Sequence, residues 1–450
     1  MKNNYDKLIN HYCDIVSEAS KFDFELYNKY NVKRGLRNSD STGVLVGLTK
    51  IGDVQGYKKE DGVKTAIEGK LFYRGVDVED IVRNCQKEGR FSFEESAYLL
   101  LFGSLPTTEQ LKDFTDLLAE FRTLPIGFTE DMILKAPSRD IMVKLARSVL
   151  ACYSYDDDAN DTSIKNLIRQ SIELVARFCV FAAYGYQALA HYYKSESLHI
   201  HNPRKDMSTA ENILYMLRMD NQFTKLEAEV LDLSLTLHAE HGGGNNSTFT
   251  VRVVSSTNTD IYSSIAAGVG SLKGPKHGGA NIQVLGMVND LKANVENPYS
   301  KEQIKEYLIK VLKKEAYDKK GLVYGMGHAV YTVSDPRAIL LKEKAYELAK
   351  EKNMLDEFII YSTIEELTPV LFKELKGSDK AICANVDLYS GFVYSMLEIP
   401  GEMFTPLFAV SRITGWCAHL IEEHIGVQRI MRPAYKNILE HKEYTEINDR

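Results

Sequence analysis

The sequence predicts an all-α fold fronted by a few short N-terminal β-strands. Three observations lead there. Six S/T-x-x-E/Q capping boxes stand ahead of apolar periodic runs. Strand-like pieces are few and early. No strand–helix alternation follows them, so a doubly wound sheet is not supported.

Taken in order, Met1–Tyr30 is rich in charge and has a weak helical stripe of Leu8, Tyr12 and Ile15, which predicts an N-terminal helical extension. Thr42–Ile51, Val54–Tyr57 and Lys70–Tyr73 are β-rich pieces separated by Gly and Asp, and predict a small sheet or hairpin set. Helix starts follow at Ser92/Glu95, Thr107/Gln110, Ser208/Glu211, Thr224/Glu227, Ser300/Gln303 and Ser362/Glu365. In such a box the first side chain accepts from an orphan helix N–H while the acid or amide reaches back. Leu111, Phe114, Leu118 and Phe121 continue the second box at helical spacing; Ile304, Leu308, Val311 and Leu312 continue the fifth. Asp335-Pro336 adds a further start, with Asp at the cap and Pro at the first helical position. Phe178–Ala190 is the longest apolar stretch, interrupted by Gln187. It is shorter than the ~20 residues a bilayer span needs and reads as a buried helix. Asp156–Asp161 and Lys194–Asp206 read as polar loops within the fold rather than interdomain linkers, and the chain has no internal repeat.

The 450 residues are 44% hydrophobic and 26% charged, which supports a large core and excludes a disordered chain. Lys plus Arg is 55 against 62 for Asp plus Glu, a net charge of −7. Nothing in that balance asks for nucleic acid or an anionic membrane as a general partner, so an anionic ligand must be gathered by a local cluster of cations. The closest pair of the six cysteines, Cys152 and Cys179, is 27 residues apart, and no CxxC occurs. That usage favours a reducing compartment. Met1–Asp6 lacks the apolar core of a signal peptide, and a cytoplasmic location is the expectation.

Four segments depart from ordinary helix sequence. Leu237–Thr250 (LHAEHGGGNNSTFT) ends a helical run in two histidines and three glycines. His238 and His241 are poorly spaced for a metal without an HExxH pattern, and from this segment alone a helix-capping turn is the preferred reading. Gly274–Asn281 (GPKHGGAN) sets His277 just before a helix start, where the helix dipole disfavours the imidazolium. A histidine kept neutral there can donate to a developing oxyanion, although a plain turn histidine fits too. Tyr324–Arg337 (YGMGHAVYTVSDPR) has Gly325 and Gly327 next to His328, with Arg337 in the first turn of a helix. A cation gains nothing from the dipole at that end, so Arg337 serves a bound anion or a buried acid. Ala384–Gly391 (ANVDLYSG) frames Asp387 with Val386 and Leu388. An apolar frame raises a carboxyl pKa and improves it as a base, while a simple helix cap remains the alternative.

In this order and at these separations, LHAEHGGGN, GPKHGGAN, GMGHAV…DPR and NVDLYSG resemble the citrate synthase family. LFYRGVDVEDIV, FEESAYLLLFGSLPT, FAVSR and RIMRP add to the resemblance, which covers Gly35 to Tyr435. It implies an all-α, two-domain fold of about twenty helices that closes over substrate. The expected division is 1–34 as an N-terminal extension, 35–277 and 387–450 as the large domain, and 278–386 as the small one. The implied catalytic set is His277 for the enol(ate) of acetyl-CoA, His328 for the oxaloacetate carbonyl, and Asp387 as the base that takes the methyl proton. His241, Arg337, Arg412 and Arg432 would hold the oxaloacetate carboxylates, Arg432 crossing from the other subunit of a homodimer. Asn245 and Ser247 would support the histidines. Leu322, Gly325, Met326, Gly327, Lys380 and Asn385 fall where coenzyme A is expected. The implied reaction needs no metal and no permanently bound cofactor; acetyl-CoA and CoA come and go as substrate and product.

Three positions depart from the family pattern. Thr332 stands where many relatives carry Lys or Arg, Ala434 where bacterial relatives often carry Arg, and Gly242 where many carry an acid. Two rivals share the scaffold: a 2-methylcitrate synthase using propionyl-CoA, whose catalytic set is the same, and an inactive regulatory binding protein, against which the intact His277, His328 and Asp387 argue. A metalloenzyme using His238, His241, His277 and His328 is a rival of another class.

Overall fold

The computed structural model describes residues 2–21, 23–38, 40, 42–60, 63–377, 381–426 and 429–450. Contacts divide the chain into two compact units, Met1–Leu48 and Thr49–Arg450. In the first, α1 (Lys2–Ala19) and α2 (Glu25–Lys29) realise the predicted helical extension. Thr42–Ile51 does not become a strand. Gly43 makes one isolated bridge to Arg37, and β-prone side chains without a partner strand have no ladder to join.

The second unit opens with the sheet. β1 (Gly52–Glu60), β2 (Val63–Tyr73) and β3 (Val76–Asp77) are antiparallel in the order β1-β2-β3, with Gly52 opposite Tyr73. The predicted Val54–Tyr57 and Lys70–Tyr73 lie within β1 and β2.

Helices make up the rest: α3 (Val78–Lys87), α4 (Phe93–Phe102), α5 (Thr108–Phe121), α6 (Ile141–Cys152), α7 (Ile164–Lys194), α8 (Thr209–Leu217), α9 (Lys225–His238), α10 (Asn246–Ser255), α11 (Ile261–Lys273), α12 (Ala280–Asn294), α13 (Lys301–Leu312), α14 (Pro336–Glu351), α15 (Leu355–Lys376), α16 (Asp387–Met396) and α17 (Phe404–Ile425). The core is built on α7 and α17, which pack together. Phe178–Ala190 lies inside α7 with every residue buried, as expected of a helix that is apolar all round. No helix among the described residues is long and apolar enough to cross a membrane. All six cysteines are free.

The boxes at Thr107, Ser208 and Thr224 form completely. Ser300 caps α13, but Gln303 accepts from the N–H of Asn297 rather than reaching back to the cap. Ser362 lies in the middle of α15 and its hydroxyl donates to the carbonyl of Ile359, because the helical run had already begun at Leu355. Ser92 starts α4 without capping it. Asp232 of α9 does so instead, accepting from the N–H of Ser92 at 2.6 Å, the N–H of Phe93 at 3.2 Å and the Ser92 hydroxyl at 3.0 Å.

Burial and the neighbouring Glu94 push the Asp232 carboxyl well up from its ordinary value. A group of this kind works as a hydrogen-bond acceptor more than as a charge. Asp232→Ala is therefore expected to lower stability by about 1–3 kcal/mol, the cost of orphaning buried donors. Asp232→Asn should recover only part of it, because both carboxylate oxygens accept from backbone N–H groups and an amide has one oxygen to offer. Chemical-denaturation midpoints of the two variants check the ordering.

Candidate active site

Four chain segments converge where α9, α14, α16 and α17 meet. The first is the turn after α9. His238 closes that helix, its Nδ1 2.7 Å from the carbonyl of Ser234. Glu240 is fully buried; its Oε1 accepts from the N–H of Gly242 at 2.5 Å and lies 3.1 Å from His419 Nε2. Burial alone would raise the Glu240 pKa, but His419, Arg412 and the Gly242 N–H outweigh it and hold the group below its ordinary value. His241 follows. Burial, then Arg337, His328 and Arg412, drive its pKa well down, so the ring is neutral. Its Nε2 has no hydrogen-bond partner among the described residues.

The second segment is the turn between α11 and α12 that bears His277. Ser247, in the first turn of α10, faces it. The Ser247 N–H lies 3.3 Å, and its hydroxyl 3.0 Å, from His277 Nε2. A backbone N–H can only donate, so Nε2 is the acceptor and the neutral ring carries its proton on Nδ1. Ser247 is itself fixed: its hydroxyl donates to Asn245 Oδ1 at 3.0 Å and receives the Trp416 indole N–H at 3.1 Å. Burial first, and Arg412 second, lower the His277 pKa to about 4. The imidazole is neutral across the physiological range.

The third segment runs from Gly325 to Arg337. His328 Nδ1 accepts from the N–H groups of both Val330 and Tyr331, each at 3.0 Å. The proton of a neutral ring then sits on Nε2, the nitrogen on the far side. The rings of His241 and His328 are 5.1 Å apart and nearly perpendicular. Asp335 caps α14 and also takes the Arg337 guanidinium in two bonds of 3.0 and 2.8 Å, so the buried acid predicted for Arg337 is Asp335. Burial works against the Arg337 charge, but Asp335 outweighs it and raises the pKa.

The fourth segment is Asn385–Asp387. It is strapped to the third. Gly327 N–H donates to the Cys383 carbonyl at 2.8 Å, Asn385 N–H to the Gly325 carbonyl at 2.9 Å, and the Asn385 amide to the Gly327 carbonyl at 2.8 Å. Gly325 is at φ 82°, and a Cβ there would fall 2.9 Å from Leu388 Cα, so only glycine lets the two backbones approach this closely. Asp387 opens α16 but does not cap it; Val386 holds that position. Burial pushes the Asp387 carboxyl up to about 6 against the pull of Arg337 and Arg412.

Arg412 of α17 completes the cluster. It is fully buried, its Nε donates to the His238 carbonyl at 2.6 Å, and its guanidinium lies 4.7 Å over the Phe408 ring. Both terminal nitrogens lack partners among the described residues. Burial lowers its pKa to about 10, with Glu240 opposing. Two donors held dry and unsatisfied are a receptor for an anion.

The fold thus brings His241, His277, His328, Arg337, Asp387 and Arg412 together, with Asn245 and Ser247 behind His277. Gly325, Met326, Gly327 and Asn385 form the strap, whereas Leu322 is exposed beside it. Lys380 lies outside the described residues. Arg432 is exposed in the segment after α17 and does not join the cluster of its own chain. Thr332 turns its hydroxyl inward, buried and without a partner among the described residues. Among the described residues no three His, Cys, Asp or Glu side chains are placed to hold a metal ion.

Glu240, Phe408, Trp416 and Tyr331 belong to the site but were not singled out from sequence. Phe408, Arg412 and Trp416 recur every four residues on one face of α17, a legible signal.

The Asp387 shift fixes a stability effect. The folded chain binds this proton more tightly than the unfolded chain, so wild-type stability declines as pH rises from the ordinary 3.8 through about 6. Asp387→Asn escapes that decline. Its unfolding free energy should match wild type at about pH 4 and exceed it by about 1–3 kcal/mol above about pH 7. Melting curves at both pH values test this; coincident curves at the higher pH would mean the carboxyl is not buried as described.

A family model described as "Citrate synthase, C-terminal domain" matches residues 39–434. A citrate synthase of Haloferax volcanii is 33% identical over 404 residues, 89% of this chain and 94% of that one. A 2-methylcitrate synthase of Shewanella oneidensis is 31% identical over 364 residues, 81% of this chain and 87% of that one. Among solved structures, the citrate synthase of Thermoplasma acidophilum, in ternary complex with carboxymethyl coenzyme A and oxaloacetate, is 26% identical with a TM-score of 0.75, covering 93% of this chain and 99% of that one.

Proposed function

The chain belongs to the citrate synthase family, and on that premise we propose that it condenses acetyl-CoA with oxaloacetate and water to give citrate and CoA. The single observation that best supports this is the pairing of a neutral Nδ1–H donor at His277 with a burial-raised carboxylate at Asp387, beside two dry arginines. A thioester methyl is a very weak acid. A carboxylate can take its proton only if a donor stabilises the charge that develops on the carbonyl oxygen.

In this reading Arg337, Arg412 and His241 hold the oxaloacetate dianion, and the Nε2–H of His328 polarises its ketone. His277 donates to the acetyl carbonyl. Asp387 takes the methyl proton, and the enol(ate) carbon attacks the polarised ketone. Water then cleaves citryl-CoA. The burial that raises Asp387 to about 6 makes it a stronger base than an exposed carboxylate while leaving it ionised at neutral pH. Gly325, Met326, Gly327 and Asn385, with Leu322 and Lys380, would contact CoA. The strap between them then joins the CoA site to the base.

The domain division of 35–277 with 387–450 against 278–386 is part of the same proposal, supported by the turns that carry His277 and Asp387 at its two ends. So is a homodimer in which Arg432 of the partner subunit completes each site. The exposure of Arg432 on its own chain is what donation would need. A cytoplasmic location is supported by six free cysteines.

Release of free CoA thiol on mixing oxaloacetate with acetyl-CoA, then with propionyl-CoA, tests the activity. A preference for acetyl-CoA is expected; turnover only with propionyl-CoA would reassign the substrate. Asp387→Asn should keep oxaloacetate binding and lose turnover by about 10²–10⁴-fold, the scale of a positioned base. Near-wild-type turnover would overturn the assignment of the base.

The shared site has its own test. In a mixed dimer of Arg432→Ala and Asp387→Asn chains, one site carries both lesions and the other neither. Each variant alone should be nearly inactive, and co-refolding the two should restore CoA release. Mixed dimers that form but stay inactive would place Arg432 in its own chain's site.

A further inference from the structure

We propose that Tyr331 is a positioning residue for the oxaloacetate subsite, and that the β1–β2 hairpin seats its ring. The inference rests on the roles given above to His328 and Arg337. Three substrate-facing groups meet on this one ring. His328 stacks on it at 4.7 Å and 26°. His241 stands against it edge-on at 5.7 Å and 76°. The Arg337 guanidinium lies over it at 5.7 Å. Tyr331 itself is fully buried.

The ring adds to what the hydrogen bonds fix. Two backbone N–H groups make His328 Nδ1 an acceptor. The stacked aromatic face bears on the plane of the imidazole, and so on the direction in which Nε2 points. His241 has no partner at Nε2 among the described residues, and its ring packs against both Tyr331 and His328. Arg337 is anchored by Asp335 at one edge, and the face of Tyr331 restrains the rest of the guanidinium.

The hairpin holds Tyr331 in turn. Gly69 of β2 donates its N–H to Ser334 Oγ at 3.0 Å, and the Tyr331 hydroxyl reaches the Lys70 carbonyl at 3.4 Å. The approach is close enough to exclude any side chain at Gly69: a Cβ there would lie 2.2 Å from the Ser334 carbonyl oxygen and 2.6 Å from Tyr331 Cδ1. On β1, a Cβ at Gly56 would lie 2.5 Å from the Val330 carbonyl oxygen. The His328 loop is thus seated on bare backbone along both strands. The long hydroxyl contact says that the ring, not the phenol, does the positioning.

The test compares Tyr331→Phe with Tyr331→Leu, alongside wild type and His328→Gln, by steady-state CoA release with each substrate varied in turn. Circular dichroism and melting curves establish folding. Isothermal titration with oxaloacetate alone reads its binding separately from turnover. Tyr331→Phe should stay within about threefold of wild type in every constant, since it keeps the stacking face. Tyr331→Leu should raise the oxaloacetate KM and lower kcat, each by about tenfold or more, as misaimed polar groups do. Its acetyl-CoA KM at saturating oxaloacetate should move by less than about threefold.

If the Leu variant does not fold, Tyr331→Met, closer in volume, is measured instead against the same expectation. A folded Leu or Met variant with wild-type constants overturns the proposal. So does a Phe variant as impaired as Leu, or a Leu variant that loses both substrates equally. Wild type without oxaloacetate-dependent CoA release, or an unimpaired His328→Gln, would instead overturn the underlying functional reading, whatever Tyr331 does.

Discussion

The structure depends on burying positive charge at its centre. Arg412 is buried on α17 with two terminal nitrogens unsatisfied among the described residues, an arrangement that unaided would cost several kcal/mol. Glu240 offsets it from the turn below, and Asp387 from the start of α16. Arg337 is treated differently: Asp335 takes its guanidinium in two bonds, and the same carboxylate caps α14. One arginine is therefore restrained and the other is left open. An incoming dianion meets a pre-positioned charge and an unpaired one, so binding requires little reorganisation of protein dipoles.

Glu240 extends that constraint outward. Its partner His419 lies 3.0 Å from Arg252, and Arg252 pairs with Glu422 at 2.8 Å and Glu423 at 2.9 Å. Glu422 in turn accepts from the N–H of Lys50, just ahead of β1. A chain of polar contacts thus runs from the His241 turn through α10 and α17 to the foot of the hairpin. The hairpin returns to the site on the other side, at Tyr331. The small sheet, which looks peripheral in a helical protein, is tied to the substrate pocket at both ends.

Much of this was legible in sequence, and what was not has identifiable causes. The helical class, the early strands, the buried run in α7 and the Asp335-Pro336 start follow from local periodicity and capping chemistry, which operate within a few residues. Asp387 could be singled out because a carboxylate between Val386 and Leu388 is unusual whatever the fold. The failures are long-range. Ser92 does not cap α4 because Asp232, distant in sequence, supplies better acceptors to the same N–H groups. Thr42–Ile51 had strand composition but no partner. Tyr331 was in plain sight between His328 and Arg337, yet its importance arises from the hairpin that presses on it, and no spacing rule reports that.

The two histidine tautomers show how the division of labour is enforced. A neutral imidazole offers one donor and one acceptor, and an enzyme that needs a donor must settle which nitrogen keeps the proton. Here the choice is made by backbone N–H groups, which cannot reverse their polarity as a hydroxyl can. Ser247 N–H makes His277 Nε2 an acceptor and leaves Nδ1 as the donor. Val330 and Tyr331 N–H make His328 Nδ1 an acceptor and leave Nε2 as the donor. The two rings therefore present opposite nitrogens, each from a turn whose backbone conformation sets its chemistry. A mutation that pulls these N–H groups away would release the choice of tautomer with every catalytic side chain still in place. The precision of the site resides in its loops as much as in its side chains, and those loops are held by glycine contacts, by the strap between Gly327 and Asn385, and by the ring of Tyr331.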